Sequence, residues 1–137
     1  MNGTNATEPT GAVTGDLRTL LRLEGLALLA GMTLLYGVWG GSWWIFFVLF
    51  LAPDLSFAGY LGGPRWGAIV YNAAHSTLAP MALMVAGFGL AAPLLQSLAT
   101  IWLAHIGFDR ALGYGLKYPA GFGFTHLGRI GKDALKA

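Results

Sequence analysis

The sequence predicts an all-α fold, a four-helix transmembrane bundle with antiparallel up-down packing. The chain is 55% hydrophobic and only 10% charged, whereas about 25% of the residues in a soluble domain are charged. Four apolar segments follow one another, each close to the roughly 20 residues that a helix needs to cross the hydrocarbon core. Because the connections between the segments are short, consecutive helices should pack side by side in opposite directions.

Glycine pairs and prolines separate the four predicted helices. The helices cover residues 17–38, 42–61, 66–90 and 93–112. The breaks between them contain the turn-forming residues Gly40-Gly41, Gly62-Gly63-Pro64 and Pro93. Pro53 and Pro80 lie inside the second and third helices. Because proline has no amide hydrogen, each leaves one helical carbonyl without its donor, and we expect a kink near each.

Two polar tails flank the predicted membrane domain of residues 17–112. Residues 1–16 lack the charged start and the cleavage site of a signal peptide, so we expect a disordered tail. Residues 113–137 are basic and rich in glycine. We expect this second tail to fold back across the mouth of the bundle on the cytoplasmic side.

The positive charges predict that both termini lie in the cytoplasm. They fall at the start of the first helix, in the middle connection, and at the end of the fourth helix or after it: Arg18, Arg22, Arg65, Arg110, Lys117, Arg129, Lys132 and Lys136. The other two connections carry none. Since cytoplasmic loops are enriched in lysine and arginine, we expect a multi-pass membrane protein with an N-in, C-in topology.

Five ionisable side chains inside the apolar segments are the main functional signal: Glu24, Asp54, His75, His105 and Asp109. A charged residue at the centre of a membrane helix costs roughly 2.5–3.5 kcal/mol on insertion scales, and such residues usually mark a functional site. At about 1.5 Å per residue, all five lie between about 5 and 14 Å from the cytoplasmic helix ends. His105 and Asp109 also share one helix face, because they are four residues apart. We therefore expect one cluster in the inner half of the bundle.

The residue types in this cluster suit a metal ion. The chain has no cysteine, so any ligands must be nitrogen or oxygen donors, as zinc, manganese and iron ions accept. We expect Asp54, His75, His105 and Asp109 to be ligands. A bound ion would lower the pKa of a water toward about 7 and so create a hydroxide nucleophile. Glu24 is the candidate general base, although it could equally be a ligand or pair with a neighbouring arginine.

Other polar residues are candidates for supporting roles around the cluster. Asn72 and Ser76 share a helix face with His75 and could act as hydrogen-bonding partners of the ligands. Cations near the inner face could contact a lipid-like substrate or the head groups of membrane lipids: Arg65, Arg110, Lys117 and, more weakly, His126.

Six short stretches carry a resemblance to a known family: Arg22–Gly25, Leu51–Asp54, Tyr71–Ser76, Ala104–Arg110, Gly113–Tyr118 and Thr125–Gly128. With them, residues 17 to about 131 closely resemble an uncharacterised family of small bacterial four-helix membrane proteins, classed as a domain of unknown function. The resemblance implies the four-helix membrane fold and a location in the bacterial inner membrane, and it supplies no activity.

A looser similarity rests on the order of three motifs, Pro53-Asp54, His75-Ser76 and His105 to Asp109. In that order they are similar to the LexA-regulated inner-membrane metal-dependent hydrolase-like family. The chain departs from that family at three places: Glu24 replaces a histidine, Ser56 replaces a second aspartate, and Tyr71-Asn72-Ala73-Ala74 replaces an Arg-x-x-Thr motif.

Three classes of function remain open at this stage. We favour a metal-dependent membrane hydrolase that acts on a lipid-like substrate. The alternatives are a carrier of metal ions or protons and an accessory subunit of a membrane complex without catalysis of its own. A carrier should have polar groups across the whole membrane, and the outer half has none of the ionisable residues. We expect contact with membrane lipids and no nucleic-acid partner, while a homo-oligomer or a larger membrane complex is left open.

Overall fold

The computed structural model describes residues 11–132. The predicted disordered tail of residues 1–16 lies mostly outside this range, as do the last five residues of the basic tail. Within the range, helix α1 covers Gly15–Val38. It therefore begins two residues before the predicted start of the first helix.

The four predicted helices are present, and two of them are interrupted. The second consists of α2, Trp43–Phe50, and a 3₁₀ helix, Ala52–Gly62. The third consists of α3, Pro64–His75, and α4, Leu78–Gly89. The fourth is the single helix α5, Pro93–Leu112. These elements confirm the prediction of a four-helix bundle.

Both interruptions lie beside the predicted metal ligands. Helix α2 ends three residues before Pro53, and the chain continues as the 3₁₀ helix that carries Asp54. Helix α3 ends at His75, and Ser76 is extended, with φ −82° and ψ 152°. Ser76 is the residue whose carbonyl loses its helical donor to Pro80, four positions later. The kinks predicted from the two prolines are therefore confirmed.

Three of the four predicted helices, with each interrupted helix taken as one helical arm, are long and apolar enough to cross a membrane. They cover residues 15–38, 43–62 and 64–89 of the described range. Helix α5 is not among them, since it carries His105, Asp109 and Arg110. Its second half is buried, because α1, α2 and α4 pack around it. Polar residues are tolerated on α5 because other helices, and not lipid, surround that half.

A close approach of two backbones fixes α1 against α5. A Cβ atom on Gly107 would lie 2.6 Å from the Leu29 nitrogen and 2.7 Å from the Gly25 oxygen. Any larger residue at position 107 would therefore push the helices apart. Small residues that permit such contact are the usual means of packing helices in membranes.

The chain after α5 folds back onto the end of the bundle where α1 begins. It forms a two-stranded antiparallel hairpin, β1 at Phe124–Thr125 and β2 at Gly128–Arg129. The side chain of Arg18 donates a hydrogen bond to the Leu127 carbonyl, and Leu127 is fully buried. The tail is thus an ordered part of the bundle up to this point.

Candidate metal centre

Four of the predicted ligands converge on one point. Asp54 comes from the 3₁₀ helix, His75 from the last position of α3, and His105 and Asp109 from α5. One nitrogen or carboxylate oxygen from each lies within 4.8 Å of those of the other three. The structure therefore contains a His/Asp group that could hold a metal ion.

Five of the six distances between these four atoms are close to those of a tetrahedral site, and all six are within 4.8 Å. The two Nε2 atoms of His75 and His105 lie 3.1 Å apart. Asp54 Oδ1 lies 3.4 Å from His75 Nε2 and 3.3 Å from His105 Nε2. Asp109 Oδ2 lies 3.3 Å and 3.4 Å from the same two atoms. Ligand atoms about 2.0–2.1 Å from a zinc ion at the centre of a regular tetrahedron are about 3.3–3.4 Å from one another.

A backbone hydrogen bond orients the His75 ring. Its Nδ1 atom lies 2.9 Å from the carbonyl oxygen of Tyr71, one turn earlier on α3. Since a carbonyl can only accept, Nδ1 carries the hydrogen and Nε2 presents its lone pair to the other ligands. The Tyr71 ring stacks on the His75 ring, with centroids 3.8 Å apart and an interplanar angle of 9°. In metal-binding histidines the nitrogen that does not bind the metal usually donates to a carboxylate or a backbone carbonyl, as Nδ1 of His75 does here.

The group is buried on three sides and open on the fourth. His75, His105 and Asp109 are buried, whereas the side chain of Asp54 is 38% exposed. Phe50, near the end of α2, packs edge-on against the His105 ring at 5.2 Å. Access to the group is therefore on the side of Asp54.

Glu24 does not belong to the group, so the prediction of one five-residue cluster is wrong for this residue. Glu24 lies on α1 and is exposed. Its neighbour Gly25 is the buried residue that faces α5. Successive residues on a helix point about 100° apart, so the Glu24 side chain points away from the centre. The position of Glu24 along its helix gave no information on the direction of its side chain.

Asn72 has a different role from the predicted support of the ligands. Its amide nitrogen donates to the Lys117 carbonyl at 2.8 Å, and its oxygen accepts from the Lys117 amide at 2.7 Å. It thus fastens the tail to α3. Ser76 is the partly buried residue at the break after α3, where its amide donates to the Asn72 carbonyl. The partners of the ligand rings are Tyr71 and Phe50, which the sequence reasoning missed, although Tyr71 is one helical turn from His75.

Three of the four residues predicted to contact a substrate or head groups are committed to internal contacts. Arg110 donates to the carbonyls of His75, at 2.8 Å, and Tyr114, at 2.7 Å. Lys117 is 3% exposed and donates to the Phe122 carbonyl at 2.8 Å. His126 Nδ1 accepts from the Leu116 amide at 2.8 Å. Arg65 is exposed, and its contact with head groups stays a prediction.

Burial changes the protonation behaviour of two of these groups. It lowers the pKa of Lys117 to about 8, and nearby Asp109 opposes this effect. The Lys117 ammonium also lies over the rings of Phe122, at 3.8 Å, and Tyr71, at 4.7 Å. Burial and the charge of Arg110 lower the pKa of His126. Their hydrogen bonds, from Lys117 to the Phe122 carbonyl and from the Leu116 amide to His126, hold the fold of the tail beside the His/Asp group.

Comparison with known proteins identifies the family and gives no activity. The sequence profile described as a domain of unknown function (DUF4260) matches residues 18–130. Searches of curated proteins and of solved structures found no match. The looser similarity to the metal-dependent hydrolase-like family gains no support from these comparisons. Because the profile covers most of the chain, the protein belongs to this family of unknown function.

Proposed function

We propose that Asp54, His75, His105 and Asp109 bind one divalent metal ion and that the protein is a metal-dependent hydrolase acting on a lipid-like substrate. The observation that carries the proposal is the set of five distances of 3.1–3.4 Å between the nitrogen and oxygen atoms of the four side chains. These atoms come from three separate elements that meet at two helix breaks.

The charge of the group also favours a bound cation. Two carboxylates and two imidazoles meet where three of the four residues are buried. A buried carboxylate such as Asp109, with a second carboxylate beside it, is costly unless a positive charge compensates it. A divalent ion supplies that charge, and the mixture of nitrogen and oxygen donors suits zinc, manganese or iron.

The open side of the site supports a hydrolytic role. When bound, a divalent ion polarises a carbonyl or phosphoryl group and activates water. Asp54 lies at the open side, and its Oδ2 atom is not needed as a ligand. This Oδ2 atom would accept a proton from the attacking water. The water oxygen would then bond to the carbonyl carbon or phosphorus, the bond to the leaving oxygen or nitrogen would break, and that leaving atom would take the proton.

The location of the site supports a substrate from the membrane. Asp54 and His75 lie in arms that are long and apolar enough to span a bilayer. We place both termini in the cytoplasm of a bacterial cell, because arginine and lysine residues collect at that end of the bundle. The metal centre would then lie in the inner half of the inner membrane.

Metal analysis of purified protein tests the proposal directly. The wild-type protein should contain about one zinc, manganese or iron ion per chain, and a His75→Ala, His105→Ala double variant should contain none. The matched control is His126→Asn, which changes the third histidine of the chain and should keep the metal. Equal metal content in all three proteins would overturn the proposed centre. A full metal content without hydrolysis of any ester, amide or phosphoester lipid would retain the centre and remove the hydrolase.

A further inference from the structure

We infer that an apolar groove beside the metal centre binds the acyl chain of a membrane lipid, which makes an acyl lipid the substrate class. Whether the head group of that lipid is hydrolysed rests on the proposed function. Binding of the chain rests on the groove alone. The groove has a volume of about 370 Å³, which is within the roughly 300–1,000 Å³ of ordinary small-molecule sites.

The groove begins next to the ligands. Two of its lining residues, Pro53 and Ala74, immediately precede the ligands Asp54 and His75. The indole nitrogen of Trp102 donates to the Ala74 carbonyl at 2.6 Å and so closes one wall between α3 and α5. An occupant of the groove would therefore have one end near Asp54, the open side of the metal centre.

From that end the groove runs away from the tail-covered end of the bundle. Leu98 lines it on α5 and Leu83 on α4. Leu98 precedes His105 by seven residues, which corresponds to about 10 Å along the helix. This direction is the one that an acyl chain takes when its head group lies at the membrane surface nearest the metal centre.

The chemistry of the walls fits a hydrocarbon chain. No charged residue of the described range 11–132 lines the groove. Ser56 supplies the polar atom of interest, since its Oγ is buried and has no hydrogen-bond partner among the described residues. An acyl chain would fit the apolar walls, and the ester oxygen at its end would lie near the Ser56 hydroxyl. Ala52 is exposed, so the groove is open to the membrane at the 3₁₀ helix.

A second apolar groove serves as the internal reference. It is larger, about 620 Å³, and is lined by residues of α1, α2 and α5 that include Leu34, Phe47 and Phe108. The Phe50 ring, which also lines it, stands between this groove and His105. A lipid chain there would have no access to the metal centre, so the two grooves distinguish general lipid contact from binding at the site.

Photolabelling in a bilayer tests the inference. The full chain would be placed in phosphatidylcholine nanodiscs with a monoacyl phosphatidylcholine that carries a diazirine in its acyl chain. After irradiation, labelled residues are mapped by mass spectrometry. We expect labelling of Leu83, Leu98 and Trp102 to exceed labelling of the reference groove at Leu34 and Phe47. Equal labelling of the two grooves would overturn the inference.

Variants sharpen this test. Leu98→Trp fills the groove and should lower labelling at Leu83 and Trp102 about tenfold, the loss expected when about two methylene groups no longer enter. The control is Leu94→Trp, one turn earlier on α5, where the residue is exposed and does not line the groove. Ala52→Phe blocks the exposed mouth without changing the core and should give the same loss if Leu98→Trp fails to fold. Unchanged labelling in a folded groove variant would contradict the inference.

The metal-free double variant separates this inference from the proposed function. His75→Ala, His105→Ala protein should keep its groove labelling, since the chain binds to apolar walls and not to the ion. Loss of groove labelling in a folded double variant would contradict chain binding by the groove alone. If the wild-type protein holds metal and shows no preferential labelling, the groove inference fails while the metal centre stands.

Discussion

The Nε2 atoms of His75 and His105 lie 3.1 Å apart, although the two residues belong to different helices. Two neutral imidazoles that both point lone pairs at this distance repel one another, so a proton or a cation must lie between them. The His75 tautomer is set by the Tyr71 carbonyl, which removes the proton from the side that faces His105. A metal ion would bind both Nε2 lone pairs at once, and the first prediction follows from this relationship.

Removal of the metal should destabilise the bundle, because the four ligands join α3, α5 and the 3₁₀ helix. A ligand present at 100 times its Kd stabilises the state that binds it by about 2.7 kcal/mol. We expect a chelator to lower the unfolding temperature of the wild-type protein in detergent and added zinc to restore it. The His75→Ala, His105→Ala variant should not respond to either. A wild-type protein that is equally insensitive would speak against a bound ion.

The Tyr71 ring should control metal affinity through its stacking on His75. Loss of groups that orient a metal-binding histidine typically costs 10–100-fold in affinity. Tyr71→Ala removes the ring and should weaken zinc binding by about this factor. Tyr71→Phe keeps the ring and should bind zinc nearly as well as wild type. Competition with a zinc-responsive dye measures both, and equal affinity of the alanine and phenylalanine variants would show that stacking is irrelevant.

Glu24 and Asp54 should respond in opposite ways to amide substitution. Glu24 is exposed on α1, so Glu24→Gln should leave both metal content and any hydrolysis unchanged. Asp54→Asn replaces a charged ligand with a neutral amide and should lower metal affinity by at least the 10–100-fold that loss of an orienting group costs. Metal titration of the two variants checks this. A Glu24→Gln protein with wild-type metal content but much slower turnover would restore Glu24 as the general base.

Most of the fold and four of the site residues were predictable from sequence. The spacing of the apolar segments predicted the helices, and Pro53 and Pro80 predicted the breaks, because both effects act within a few residues of the chain. The four residues of the His/Asp group were found because charged and imidazole groups are rare in membrane helices. Glu24 was misassigned since its direction depends on which face of α1 packs on α5, and that depends on Gly25 and Gly107. The contacts of Lys117 depend on a tail fold that no periodic pattern encodes.

Membrane topology is the fourth prediction. The arginine and lysine distribution predicts that the chain ends in the cytoplasm. A reporter that is active only in the periplasm, fused after Ala137, should therefore be inactive, while one active only in the cytoplasm should work. Fusions in the connection at Gly40 should give the opposite pattern. Periplasmic activity of the fusion after Ala137 would move the metal centre to the outer half of the membrane.

The packing of the tail should become more stable at high pH because of Lys117. Burial lowers its pKa from 10.5 to about 8, so between pH 8 and 10.5 the unfolded chain binds more protons than the folded one. Stability rises with pH wherever this holds, and the shift corresponds to about 1–3 kcal/mol. We expect proteolysis of the tail to slow between pH 7.5 and 10 in wild type relative to Lys117→Met, which has no titrating group at this position. Metal content should be similar in both proteins, since the Lys117 ammonium donates to the Phe122 carbonyl and lies over the Phe122 and Tyr71 rings. The same pH dependence in both proteins would show that the buried ammonium is not the group that titrates.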